Sequence, residues 1–247
     1  MELILMIFGA ALVAVLLAIL IVKYLPLKLR WVVSILLLAL TVFLGYKIYH
    51  GIMAPINFNI KKKMIYSDVI KNLKIIRDAE VAHYQVIGKY TKDKAGLIQF
   101  LDTAQFALTE TKNIVEEVNQ GTKWQPIMIE VERRVTDTIG YEPVINKFKN
   151  RDYKNMFKVP GLTGVEFDLE TGEVEKIQGL TVSTFEAKVH KNLILKGMDK
   201  SLIKQELEAL ETDQIRGEYV SVGSLGEVTT GGNWPPSYDK GSAKKDD

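Results

Sequence analysis

The sequence predicts an α+β protein in which an N-terminal transmembrane helical hairpin precedes a domain with a long helix packed on a mainly antiparallel sheet. Three observations predict this class. Two long apolar runs lie near the N-terminus, apolar residues at helical spacing follow them, and alternating strand patterns occupy the rest of the chain. The predicted boundaries are a hairpin at 1–50, a connector at 51–61, the α+β domain at 62–238 and a disordered tail at 239–247.

The first apolar run covers twenty residues, 3–22, which is long enough to cross the ~30 Å hydrocarbon core as a helix. Glu2 stands where a signal peptide carries positive charge, and residues 23–26 do not resemble a cleavage site, so we expect a retained span. The second run extends from Trp31 to Tyr46, and its terminal aromatic residues are typical of the membrane interface.

The link between the two runs, 23–30, is eight residues long and fits only a tight turn, so an antiparallel hairpin is expected. It carries three basic side chains, whereas the N-terminal tip carries only Glu2. The positive-inside rule therefore predicts a cytoplasmic link, with both termini and the main domain outside the cytoplasm.

A long amphipathic helix is predicted after the spans. Gly51 and Pro55 indicate a helix end, followed by a short extended connector. From about Lys62 to Ile87, apolar residues recur at steps of three and four, namely Ile65, Val69, Leu73, Ile76, Ala79, Ala82 and Val86. The opposite face is predicted to be charged, with Lys71, Lys74, Arg77, Asp78 and Glu80. Gly88 is placed as the C-terminal stop.

The remaining chain has mainly strand character, interrupted by two shorter helices. Residues 165–177 predict a β-hairpin that turns at Thr171-Gly172, because apolar and acidic residues alternate on both sides of that pair. The other predicted elements are a short helix at 95–101, strands at 104–110, 126–138, 180–189 and 219–225, and a helix at 199–211.

Composition and motifs indicate a protein without catalytic machinery. The chain has no Cys, which excludes disulfides, thiolate nucleophiles and Cys-based metal sites. His50, His83 and His190 do not stand at metal-ligand spacing, and the sequence carries no phosphate-binding glycine loop or nucleophile elbow. We therefore predict no enzymatic activity, no cofactor and no metal.

Charge and polarity narrow the expected partners. The formal net charge is +2 and no basic stripe alternates with aromatic residues, so nucleic-acid binding is not expected. Ser34 and Thr41 are the polar side chains within the predicted spans, which argues against transport through the hairpin. The expected partners are the lipid bilayer and other membrane or periplasmic proteins, and an oligomer is compatible with these features.

The C-terminal segment 231–238, Gly-Gly-Asn-Trp-Pro-Pro-Ser-Tyr, has two interpretations. Trp234 can fill the core of the domain and fix the end of the chain. It can instead belong to an aromatic patch that faces a partner protein.

Residues 73–101 resemble type IV pilins and the pseudopilins of type II secretion. The matching positions are Ile76, Arg77, Ala79, Tyr84, Gly88, Tyr90 and Leu97, over about 30 of the 247 residues. The resemblance implies a pilin-like domain in which Ala79 permits close helix packing and the Tyr residues lie beneath a loop. The chain departs from the family because no prepilin peptidase site precedes Trp31 and a further span lies upstream.

The chain is also similar to a group of Bacteroidota envelope proteins that share the Gly-Asn-Trp-Pro ending. That second resemblance implies no activity. Taken with the membrane spans and the pilin-like pattern, the first hypothesis is a non-enzymatic bacterial inner-membrane protein that acts as a scaffold in a secretion, pilus-like or motility apparatus. Arg77, Tyr84, Gly88, Tyr90 and Trp234 are the candidate structural or interaction residues. The alternative is an accessory subunit of a membrane enzyme or respiratory complex. A ligand-sensing receptor is disfavoured, because the link at 23–30 leaves no room for a cytoplasmic output domain.

Overall fold

The structure is a computed structural model that describes residues 12–16, 18–19, 23, 26–119, 124, 127–177, 179–209 and 214–239. The first predicted span, 3–22, lies largely outside the described residues, as does the predicted tail beyond Asp239. The chain divides into two compact units, Met1–Asn59 and Ile60–Asp247.

Helix α1, Leu27–Ile87, runs without interruption for 61 residues. The predicted connector at 51–61 is therefore wrong, since Gly51 and Pro55 both lie inside the helix. A proline ring meets the carbonyl group four residues earlier, and here that residue is Gly51, whose backbone can shift because it carries no side chain. The helix also begins inside the predicted link, where the Leu29 amide donates to the Pro26 carbonyl at 2.9 Å.

The first unit contains the apolar part of α1. This helix is long and apolar enough to cross a membrane, and none of its most apolar window is buried. Among the described residues it is the one helix that meets this test. Leu, Val, Ile and Phe side chains are exposed along Trp31–Tyr46, as expected of a lipid-facing surface.

In the second unit, α1 contributes one side of the hydrophobic core. The predicted apolar positions Val69, Leu73, Ile76, Ala79 and Ala82 are all buried, together with Tyr66 and Ile70. Glu80 was wrongly placed on the charged face, because it is fully buried. It follows Ile76 by four residues, so the two side chains share one face of the helix.

A three-stranded antiparallel sheet forms the other side of the core. Its strands β3 (Asp168–Ile177), β4 (Leu180–His190) and β5 (Tyr219–Gly223) lie in the order β3–β4–β5. Its buried apolar side chains are Leu169, Phe185, Ala187, Val189, Val220 and Val222. The predicted hairpin within 165–177 is wrong, since Thr171-Gly172 lies inside β3.

Two glycines explain this difference in β3. A Cβ atom at Gly172 would lie 3.2 Å from Thr184 Oγ1 and 3.4 Å from Leu225 Cδ2, so this strand glycine marks a close approach. The actual turn follows β3 and includes Gly179, whose φ of +84° favours glycine.

The other predicted strands form a separate two-stranded ribbon. Strands β1 (Gln105–Asn119) and β2 (Met128–Pro143) pair antiparallel with each other, and neither pairs with the three-stranded sheet. Helix α2 (Lys94–Thr103), predicted at 95–101, leads into β1 and is N-capped by Asp93. The Val144 amide donates to the Ala104 carbonyl at 3.0 Å and closes the base of the ribbon.

Two short helices precede β5. Helix α3 covers Lys191–Ile194, and α4 covers Lys200–Leu207 with Asp199 as its N-cap. The helix predicted at 199–211 is therefore confirmed over its first two turns, while residues 210–211 lie outside the described part. The α+β class is confirmed, with two antiparallel sheets in place of one.

Candidate functional site

Three predicted residues meet at the C-terminal end of α1. Gly88 has a φ of +83°, and its amide donates to the Tyr84 carbonyl at 2.8 Å, which ends the helix. The Tyr84 and Tyr90 rings stack with centroids 4.8 Å apart, and Tyr90 lies at the same distance from Phe185 of β4. Burial, followed by the neighbouring Tyr84 and Glu80, raises the pKa of Tyr90. Tyr90 thus connects the helix end to the sheet.

Glu80 supports this helix end and was missed as a site residue. Its carboxyl group is 0% exposed, and Oε2 accepts a hydrogen bond from the Thr91 amide at 3.1 Å. Its Oε1 has no hydrogen-bond partner within the described structure. Burial raises the pKa of Glu80 to about 8, although the Thr91 amide acts in the opposite direction. A protonated Glu80 therefore holds the loop after Gly88 at neutral pH.

Arg77 lies in a separate group of ion pairs on α1. Its Nε donates to Asp78 Oδ1 at 3.0 Å, and Arg151 also pairs with the Asp78 carboxylate. Arg77 is seven residues from Tyr84, about 10 Å along the helix axis. The structure therefore does not bring Arg77 to the tyrosine stack.

Trp234 is buried, with 7% of its surface exposed. Its Nε1 donates to Asp239 Oδ1 at 3.1 Å, and Lys74 Nζ lies 2.8 Å from the same oxygen. The Lys74 hydrogen bond, with help from Trp234 and the charge of Arg77, holds the pKa of Asp239 below its usual value. This position favours the core interpretation of Trp234 over the partner-facing one.

The glycines beside Trp234 have a structural role. A Cβ atom at Gly232 would lie 2.3 Å from the Trp234 ring, so only glycine fits there. The segment also covers the outer edge of β5, because the Gly223 amide donates to Gly231 O at 2.8 Å and the Asn233 amide to Ser221 O at 3.1 Å. Asn233 Oδ1 accepts from the Ser221 amide at 3.0 Å.

A buried ion network joins α1 to α3 and α4. The Glu206 carboxylate lies 2.6 Å from Lys62 Nζ and accepts from the Tyr66 hydroxyl at 3.1 Å. Lys191, 0% exposed, donates to the backbone carbonyls of Glu206 and Ile215 at 2.9 and 2.6 Å. Burial lowers the pKa of Lys191, while the nearby Glu206 charge opposes that change. The Lys191 ammonium group thus binds backbone carbonyls at the end of α4 and in the segment that follows it.

The ribbon of β1 and β2 is an exposed feature of the second unit. None of its described residues, from Gln105 to Pro143, is buried. Side chains directly opposite in the register share a face. One face, which we call the apolar face, carries Ile114, Val118, Ile129, Val131 and Val135. The other, the polar face, carries Thr111, Asn113, Glu117, Glu130, Glu132, Arg134 and Thr136, with Val115 and Met128.

The histidines take part in local contacts. His83 Nδ1 lies 2.6 Å from the Lys89 carbonyl, and His190 Nδ1 accepts from the Asn192 amide at 3.1 Å. Within the described ranges, no group of three or more His, Cys, Asp or Glu side chains could hold a metal ion. The described residues thus offer no metal site, and the exposed ribbon is the feature that most needs a functional explanation.

Comparisons with protein-family models, curated proteins and solved structures gave no significant match to this chain. Its class is accordingly defined by the structure itself. The chain combines a helix long and apolar enough to span a membrane with an α+β domain that carries an exposed β-ribbon.

Proposed function

We propose that the protein is a non-enzymatic assembly subunit of a bacterial envelope complex, such as a secretion, pilus-like or motility apparatus. In this proposal the N-terminal hairpin anchors it in the inner membrane and the α+β domain lies in the periplasm. The observation that carries the proposal is the ribbon, whose strands of 15 and 16 residues contain no buried residue among those described.

The ribbon has the properties of a surface that functions in contact with another molecule. An isolated two-stranded hairpin is only marginally stable in water and gains stability when its apolar face is covered. In the described part of the chain, each ribbon strand also has one edge without a strand partner. Such edges readily pair with another chain. Trp124, 93% exposed between the strands, adds an apolar group.

The helix end supports the pilin-like part of the proposal. The long α1 enters the domain core, ends at Gly88 and is followed by Tyr90, which packs on Phe185 of the sheet. These residues occupy the positions that the resemblance predicts to be architectural. In this proposal the helix end builds the domain, and the ribbon contacts the partner.

A photo-cross-linking residue tests the proposal in cells. It replaces Val131 on the apolar face or, as a control, exposed Asn192 away from the ribbon. Adducts are then identified by mass spectrometry. We expect specific adducts with components of an envelope assembly, or with this protein itself, from position 131 only. Adducts exclusively with respiratory or transport enzymes would favour the accessory-subunit alternative, and equal adducts from both positions would contradict a ribbon interface.

The proposed topology has its own test. In one fusion, alkaline phosphatase, which is active only outside the cytoplasm, follows Lys240. In the control fusion, a fluorescent protein that matures only in the cytoplasm follows the same residue. The proposal predicts an active phosphatase fusion and a dark fluorescent fusion. The reverse pattern would place the domain in the cytoplasm.

A further inference from the structure

The apolar face of the ribbon has a composition that restricts what can cover it. Its five aliphatic side chains lie between the pairs Lys112–Val135 and Val118–Ile129. Within this stretch the face carries both charge signs, since Lys112 and Arg133 accompany Glu116. Arg133 Nη1 lies 3.8 Å from Glu116 Oε2 on the same face. A partner of one strong charge sign would therefore meet like charge here.

The polar face differs in its charge. It carries Glu117, Glu130 and Glu132 against Arg134. Two copies of this acidic face would repel each other, whereas two copies of the apolar face present aliphatic groups and both charge signs to each other. The charge pattern thus permits self-association through one face and opposes it through the other.

We propose that the apolar face of the ribbon binds the apolar face of a second copy of this chain. A two-fold arrangement brings the same aliphatic residues of the two copies together and lets Glu116 of one copy meet Arg133 of the other. This inference deepens the proposed assembly function and rests on its membrane anchor.

The size of the face explains why the anchor matters. Seven residue levels at about 3.4 Å each, over a ribbon about 10 Å wide, give roughly 240 Å² per copy. The pair would bury roughly 480 Å², well below the ~1,000 Å² typical of a stable interface. Contact through this face alone is therefore weak in dilute solution. Two copies anchored in one bilayer have a much higher effective concentration, which favours the pair.

The absence of cysteine from the sequence makes a direct test possible. Single-cysteine forms of the full chain, Ile114→Cys or Val131→Cys on the apolar face and Asn113→Cys or Thr136→Cys on the polar face, are reconstituted in lipid vesicles. A short bis-maleimide links cysteines that lie close together, and denaturing gels measure the dimer. We expect about tenfold more dimer from the apolar-face positions, and less dimer when the protein is diluted in detergent.

A second substitution separates true pairing from random collision in the vesicles. In the Ile114→Cys form, Val131→Glu would place a charge in the contact and reduce cross-linking by about tenfold or more. Thr136→Glu, on the opposite face, is the matched control and should leave the yield unchanged. Both sites are exposed. Because Val131 lies opposite Glu116 in the same ribbon, circular dichroism of both variants has to show that the ribbon is retained.

Equal dimer yields from the two faces, absence of dimer from both, or insensitivity to Val131→Glu would overturn the second-copy inference. These outcomes leave the assembly function standing if position 131 is cross-linked in cells to a different envelope protein. If position 131 yields neither its own copy nor an envelope protein, the assembly function fails as well.

Discussion

The two antiparallel sheets of this domain use similar strands in opposite ways. In β3–β4–β5, alternate side chains such as Phe185 and Val220 are buried against the rest of the domain. In the ribbon, the same alternation produces an apolar face, yet none of its described residues is buried. Alternation therefore predicts an amphipathic strand, but it does not determine whether the chain itself or another molecule covers the apolar face.

The edges of the two sheets differ as well. The C-terminal segment Gly231–Asn233 covers the outer edge of β5 with backbone hydrogen bonds. No described segment does this for β1 or β2. The β5 edge of the three-stranded sheet is thus protected against pairing with another chain, whereas neither strand of the ribbon has such cover among the described residues.

The largest expected effect on stability comes from disrupting the buried ion network, which belongs to the covered part of the domain. Lys191→Met removes the donor to the Glu206 and Ile215 carbonyls, and we expect a loss of about 3 to 5 kcal/mol in the free energy of unfolding. Lys188→Met, three residues earlier in β4, is the control, because this more exposed side chain pairs with Glu186. We expect less than about 1 kcal/mol there. Denaturant unfolding measures both, and equal losses would show that the network does not stabilise the core.

The pH dependence of stability tests Glu80 next. An acid with a pKa of about 8 in the folded state and 4.5 when unfolded binds an additional proton in the folded state between these values. Stability therefore falls as pH rises from about 5 to 8, by roughly 3 kcal/mol. Glu80→Gln should remove this decline and raise the melting temperature at pH 9 but not at pH 5. Parallel pH profiles of the two proteins would contradict the assignment.

A matched pair of valines compares the two sheets directly. Val189→Ala, in buried β4, should lower the free energy of unfolding by about 2 kcal/mol, because it leaves a cavity in the core. Val131→Ala, in the ribbon, should change it by less than about 0.5 kcal/mol in dilute detergent. Thermal unfolding followed by circular dichroism measures both. A larger effect at Val131 would mean that the chain itself covers the ribbon.

The smallest of the four effects concerns the end of α1. Gly88 has a positive φ, and a Cβ atom at this position would lie in open space, so Gly88→Ala tests backbone strain alone. We expect a loss of about 1 kcal/mol in unfolding free energy, and a smaller loss for Gly88→Asn because Asn tolerates this conformation. An equal or greater loss for Asn than for Ala would contradict the assigned helix stop.

Local patterns predicted much of this structure, and the exceptions have physical causes. The period of the apolar residues located α1 from Val69 to Ala82, and the spacing of Glu80 from Ile76 already contained the signal for its burial. Thr171-Gly172 looked like a turn, although Gly172 serves a close approach to Thr184 and Leu225. Glycine supports both uses, and only the tertiary packing distinguishes them.

The candidate site was less accessible to sequence reasoning. Gly88 was predicted as a local helix stop, whereas Tyr84 and Tyr90 were named from the resemblance to pilins, and no local pattern predicted that their rings stack. Lys62 and Glu206, in contrast, are 144 positions apart, and nothing local indicates that they pair. The ribbon strands were predicted, but their separation from the main sheet depends on long-range pairing.

Hydrogen–deuterium exchange of the full chain, at a dilution in detergent where a monomer has been verified, tests the central comparison most directly. Amides of β4 should exchange near the rate of global unfolding, whereas amides of β1 and β2 should exchange orders of magnitude faster. On reconstitution at high protein density in vesicles, the ribbon amides should become protected. Ribbon amides as protected as those of β4 in the verified monomer would contradict the account, because the chain alone would then stabilise its ribbon.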